Sequence, residues 1–207
     1  MRMTSGIVLA AALVAGFTVA SVSAQAQNVR VRGTIEKVDG DLLLVKSRDN
    51  TELKLKLKEN ATVRGVVKAS LADVKAGAMV GITSMPQADG SLKAVEIHIF
   101  PAGLNVNQNH FPWDLMANSL MTNGRVETSV AAVDGQVLTV SYKAGDKPVE
   151  EKKITVTPQT IIAGYTPATK ADLKAGQNIF VANAPKLPDG TLDVASISYG
   201  KDIAPPM

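Results

Sequence analysis

The chain repeats itself, and the repeat limits what it can fold into. Val38-Asp39-Gly40 returns as Val133-Asp134-Gly135. Ala72-Asp73-Val74-Lys75-Ala76-Gly77 returns as Ala171-Asp172-Leu173-Lys174-Ala175-Gly176, and Asp89-Gly90-Ser91-Leu92 as Asp189-Gly190-Thr191-Leu192. The offsets are 95, 99 and 100, so the order is kept and only short insertions separate the copies. This is an internal duplication of one unit. Four of the extra residues are expected in the stretch Lys143 to Glu151, whose AGDKPVEE reads as a lengthened hairpin loop.

Residues 51–58 of the first copy alternate Leu53, Leu55 and Leu57 with Lys54, Lys56 and Lys58. A period of two with one apolar and one charged face is a half-buried strand. Residues 29–38 and 41–47 flank the Asp39-Gly40 turn as a hairpin, and 79–85 and 92–100 flank Asp89-Gly90 as another. Each copy therefore offers about five strands. Its one helical signal is Ser70-Leu71-Ala72-Asp73, or Thr169-Lys170-Ala171-Asp172, a capping pattern closed by Gly77 or Gly176 that supports a turn or two.

Five strands and one short helix in so few residues predict an all-β fold. The expectation is two tandem small OB-like, Greek-key β-barrels, each with one short helix, because closing a sheet removes its edges; an open two-layer sheet is the alternative. The pattern G-x-I-x-x-V-D-G, A-D-x-K-x-G, D-G-[S/T] is carried by Gly33, Ile35, Val38 to Gly40, Ala72 to Gly77 and Asp89 to Ser91, and by the second copy. It resembles a bacterial exported family of unknown function built from such modules. The second copy departs at its start, where Gly124-Arg125-Val126 stands for Gly-x-Ile. These motifs are turns and caps, so the resemblance implies fold and no activity.

Arg2 precedes the apolar run IVLAAALVAGFTVA, and small residues follow to Ala26, the layout of a signal peptide cleaved after Ala24 or Ala26. The run is short for a retained membrane anchor. The expected organisation is a signal peptide over 1–26, a first module over 28–101, a linker over 102–123, a second module over 124–201 and a tail over 202–207. Cysteine is absent, which excludes disulfides, thiolate metal sites and cysteine nucleophiles and favours a bacterial periplasm or secretion. Removing Arg2 leaves 21 basic against 19 acidic residues, a balance that gives nucleic acid no purchase.

Candidate sites are few. Glu96 and His98 lie two apart on the last strand of the first copy. They face away from Val95, Ile97 and Ile99, and Ser196 and Ser198 replace them in the second copy, the mark of exposed positions. The connector, PAGLNVNQNHFPWDLMANSLMTNG, gathers two rare residue types in NHFPWD. His110, Trp113, Asp114 and Met121 to Gly124 resemble the connector of two-module members of the same family. Phe111, Trp113, Asp114 and Leu115 are expected to pack the modules together. The alternative is a metal site of His110, Met116 and Met121, since imidazole and thioether suit copper, with His98 and Glu96 as further candidate ligands. No G-x-S-x-G elbow accompanies either histidine, so an enzyme is not expected.

The expected function is a noncatalytic periplasmic binding or adaptor protein without a cofactor. Its partner would be an envelope protein or glycan, not nucleic acid, and it would not span the membrane after cleavage. The alternative is a periplasmic copper- or zinc-binding protein using His110 and nearby methionines.

Overall fold

A computed structural model of the chain describes residues 28–133 and 135–205. The expected signal peptide and its cleavage points lie outside the described residues, as do Asp134 and the last two positions. The described chain is all-β. Twelve strands form one continuous sheet, and the two predicted helical signals are single 3-10 turns, Leu71–Asp73 and Lys170–Asp172. The capping pattern forms as expected: the Ser70 amide donates to Asp73 Oδ2 at 2.8 Å and the Thr169 amide to Asp172 Oδ2 at 2.8 Å.

The first copy supplies β1 (Asn28–Asp39), β2 (Leu42–Ser47), β3 (Glu52–Lys68), β4 (Met79–Pro86) and β5 (Leu92–Ile99). A short β6 (Asn109–Pro112) lies in the connector. The second copy supplies β7 (Leu120–Ala132), β8 (Gly135–Tyr142), β9 (Glu150–Val156), β10 (Ile161–Ala168), β11 (Asn178–Pro185) and β12 (Leu192–Gly200). Leu43 pairs with Leu55 and Leu138 with Ile154. The offset thus grows from 95 to 99 between β8 and β9, which puts the four extra residues in the loop where the sequence predicts them.

The pairing differs from two consecutive barrels. β1 pairs with β2 and with β11, β2 pairs with β3, and β3 pairs in parallel with β12, closing a five-stranded barrel in the order β1-β2-β3-β12-β11. A second ring runs β7-β8-β9-β5-β4, closed by two parallel residue pairs, Leu92 with Ile154 and Lys93 with Thr155. Each copy's last hairpin therefore completes the other copy's ring. The separate closure expected for 28–101 and 124–201 is corrected by this exchange. β3 is long, 17 residues with a reach of about 56 Å, and it serves both the first ring, through β12, and the seam, through β10. The connector is corrected likewise, because it contains a strand and β7 begins at Leu120, inside the stretch expected to be linker.

The far half of β3 pairs antiparallel with β10, with Val66 opposite Tyr165. These two positions are equivalent in the repeat, so a local twofold passes between them and relates the rings. β5 beside β10 then matches β12 beside β3.

Two apolar cores result. One joins Leu43, Leu55 and Leu57 to Val181, Val194 and Ile197; the other joins Ile82 and Ile97 to Leu138, Val140 and Ile154. Leu55 and Leu57 are buried and Lys54, Lys56 and Lys58 exposed, as the alternation predicts, with Leu53 half-buried.

Candidate functional site

Glu96 and His98 are not exposed. Both are fully buried, and His98 Nδ1 lies 2.6 Å from Glu96 Oε1. Alternation puts them on the outer face of the second ring, as the sequence predicts. In the exchanged architecture, however, β10 lies beside β5, pairing Ile161 with Glu96 and Ala163 with His98, and the face meets the aromatic side chains of the seam between the rings, Phe100 and Tyr165. Val95 is skipped in the pairing of β4 with β5, so Ala94 takes the inward place expected for it.

The seam between the rings is rich in rings and polar atoms. His98 meets Phe100 edge-on at 5.1 Å, and Phe100 stacks on Tyr165 at 6.2 Å. Burial, and then the negative charge of Glu96, pushes the Tyr165 phenol well above its usual pKa. Glu96 Oε2, His98 Nε2, Thr83 Oγ1 and Ser84 Oγ are buried without a hydrogen-bond partner. Nε2 cannot receive a substrate: a Cβ placed on Gly81 would sit 2.2 Å from it, so the imidazole fills the space that a side chain at Gly81 would take. A cavity of about 320 Å³ opens on the far side of Phe100 and Tyr165, bounded also by Arg64, Phe180 and Ser198. Arg64 Nη1 donates to Ser196 Oγ at 3.1 Å.

The connector spans the seam. β6 pairs with β7 of the second ring, while Asp114 binds Arg30 at 3.0 Å and Arg32 at 2.9 Å, both on β1 of the first. Partial burial raises the Asp114 pKa, but the two guanidiniums outweigh it and hold the carboxyl at about 2. Arg30 lies 4.0 Å over the Trp113 ring, and Phe111 meets that ring edge-on at 5.7 Å. Leu115 borders a shallow hollow with Arg32 and Ile179. Trp113 is half-buried rather than enclosed.

His110, Met116 and Met121 do not converge. His110 pairs with Thr122 and Phe111 with Met121, so His110 and Met121 stand on opposite faces of the β6-β7 ribbon. His110 Nδ1 lies 2.9 Å from Thr122 Oγ1, Met121 is buried, and Met116 is 45% exposed. Burial, and then the charge of Lys152, lowers the His110 pKa. No group of three His, Asp or Glu side chains converges as a metal cage among the described residues.

A larger cavity lies elsewhere, at the mouth of the second ring. It measures about 810 Å³ and is walled by Leu71, Val156, Pro158, Ile161, Ile162 and Ile203. Val156 and Ile162 belong to the second core, so the opening leads down to it. The repeat shows why it is open. The offsets match Leu71 with Lys170 and Gln136 with Asp41, and in the first ring Lys170 Nζ grips Asp41 Oδ1 at 2.8 Å, tying the 3-10 turn to the β1-β2 hairpin. In the second ring that ion pair is absent and both substituted residues line the cavity.

Comparison with family models, curated proteins and solved structures finds no match. The fold and its site are therefore read from the chain alone. Sequence reasoning missed the mouth: at each of the two positions one copy is charged and the other is not, but the charged partners, Asp41 and Lys170, belong to different copies and meet only through the exchange.

Proposed function

We propose that the chain is an exported, noncatalytic binding protein of the bacterial periplasm, assembled from two OB-type barrels that exchange their closing hairpins, and that its ligand enters the mouth of the second ring. The strand order and parallel closure of the first ring, with a helical turn ahead of the closing hairpin, support the OB assignment. The motifs and the N-terminal sequence support the exported bacterial family. The observation that carries the binding reading is the apolar cavity of about 810 Å³ at the place where the sister ring is tied shut; small-molecule sites span about 300–1,000 Å³ and are mostly apolar. A noncatalytic role is supported by His98, whose ring is held by Glu96 on one side and sealed against Gly81 on the other.

The test is a titration with the uncharged fluorescent probe N-phenylnaphthylamine. Wild-type protein is expected to bind one equivalent. The double variant L71K/Q136D imports the ion pair of the first ring and is expected to weaken binding about tenfold. Ile161→Glu, at a half-exposed position on the cavity wall, should do the same without disturbing the core. Equal binding by all three proteins overturns the reading.

A further inference from the structure

We infer that the ligand of this mouth is a single-chain fatty acid, its tail running into the second ring and its carboxylate held at the rim by Lys68; the inference rests on the mouth being a binding site. Three features point there. The wall is mostly aliphatic: leucine, isoleucine, valine, proline and alanine side chains line it beside Ser70, Gln136, Thr157, Gln159 and Thr160, and none of its lining side chains is aromatic. Lys68 is the only ionisable side chain among its described lining residues, and no ion pair occupies it among the described residues. A mostly apolar cavity with one cation among its lining residues matches a long apolar chain with one anionic end.

The third feature is the tail of the chain. After β12, the Lys201 amide donates to Val66 O at 3.0 Å, and Ile203 and Ala204 then complete the cavity wall. A few residues after the last strand thus lie along the opening, adding apolar contact to one side of it. A flexible chain can adapt to such a wall.

Calorimetric titration of the intact mature protein with octanoate, dodecanoate and hexadecanoate tests this. Affinity is expected to rise about fourfold for each CH₂ that enters the cavity. Lys68→Glu should weaken hexadecanoate about tenfold while leaving hexadecanol unchanged. L71K/Q136D should weaken both. If N-phenylnaphthylamine binds and the fatty acids do not, or if hexadecanoate ignores Lys68→Glu, the fatty-acid assignment falls while the mouth remains a site. If L71K/Q136D binds hexadecanoate as well as the wild type does, the mouth itself is refuted. Preference for phospholipid vesicles over free hexadecanoate would overturn the assignment in favour of a membrane surface.

Discussion

In the first ring a lysine and an aspartate, Lys170 and Asp41, tie a 3-10 turn to a hairpin; in the second, Leu71 and Gln136 hold the same places and border an open cavity. A similar contrast appears at the seam. β4 and β5 bring Gly81 against His98, whereas β11 and β12 bring Phe180 against Ser198 at the corresponding pair of positions. One ring fills each side of the seam, supplied by the last strand in one copy and by the strand before it in the other. Duplication made the two halves alike, and each half then solved the same packing problem with a different residue. What the comparison teaches is that an aromatic side chain is kept on each side of the seam where the rings touch, whereas the polar tie is kept at only one of the two mouths.

The strongest way to break that comparison is in the cores, where the rings are most alike. Leu55→Ala and its equivalent Ile154→Ala empty fully buried positions, and each is expected to cost about 2 to 5 kcal/mol in chemical denaturation. Lys56→Ala should stay within about 0.5 kcal/mol. Separate unfolding transitions in either variant would show that the rings do not share one cooperative unit.

Next in size is the seam. Gly81→Ala forces a methyl group against the His98 ring and is expected to cost about 1 to 3 kcal/mol. His98→Ser, which copies the sister strand, should recover much of that loss in the double variant. Absence of such recovery would mean that the clash is not what the alanine disturbs.

A smaller effect is expected at Asp114. Its folded pKa of about 2 lies below the unfolded value of about 3.9. Its contribution is therefore complete above roughly pH 4 and is lost as the pH falls towards 2. The side chain is 51% exposed, so solvent screening leaves about 1 kcal/mol. Stability measured at about pH 6 and about pH 2.5 should show this, and Asp114→Asn should flatten that part of the profile. The smallest effect belongs to the tie itself. Asp41→Ala removes a surface ion pair and should change stability by less than about 0.5 kcal/mol, so the contrast between closed and open mouths is one of shape and not of strength.

Much of this was written in the sequence. Leu53 to Lys58 declared both the strand and its inward face, and the Asp-Gly turns, the capping serine and threonine and the lengthened 143–151 loop all fell where the pattern put them. The exchange was not legible, because β4-β5 and β11-β12 carry the same alternation and a pattern of faces is silent on which copy a hairpin completes. The burial of Glu96 and His98 followed from that. A polar pair on an outer face reads as solvated until a second ring is laid over it. At NHFPWD the structure ties the segment to both rings through β6 and Asp114, and the proposed ligands His110 and Met121 face apart since neighbours on a ribbon point to opposite sides.

The second ring, built from β4, β5 and β7 to β9, can close once β9 is made, whereas the first ring joins the two ends of the described chain: β1 must wait for β11, and β3 for β12. Such distant pairings predict slow folding. They also make the molecule a clasp. Cut once in the connector near Gly103, it would yield two fragments that stay together without a covalent link, each carrying the hairpin that the other lacks.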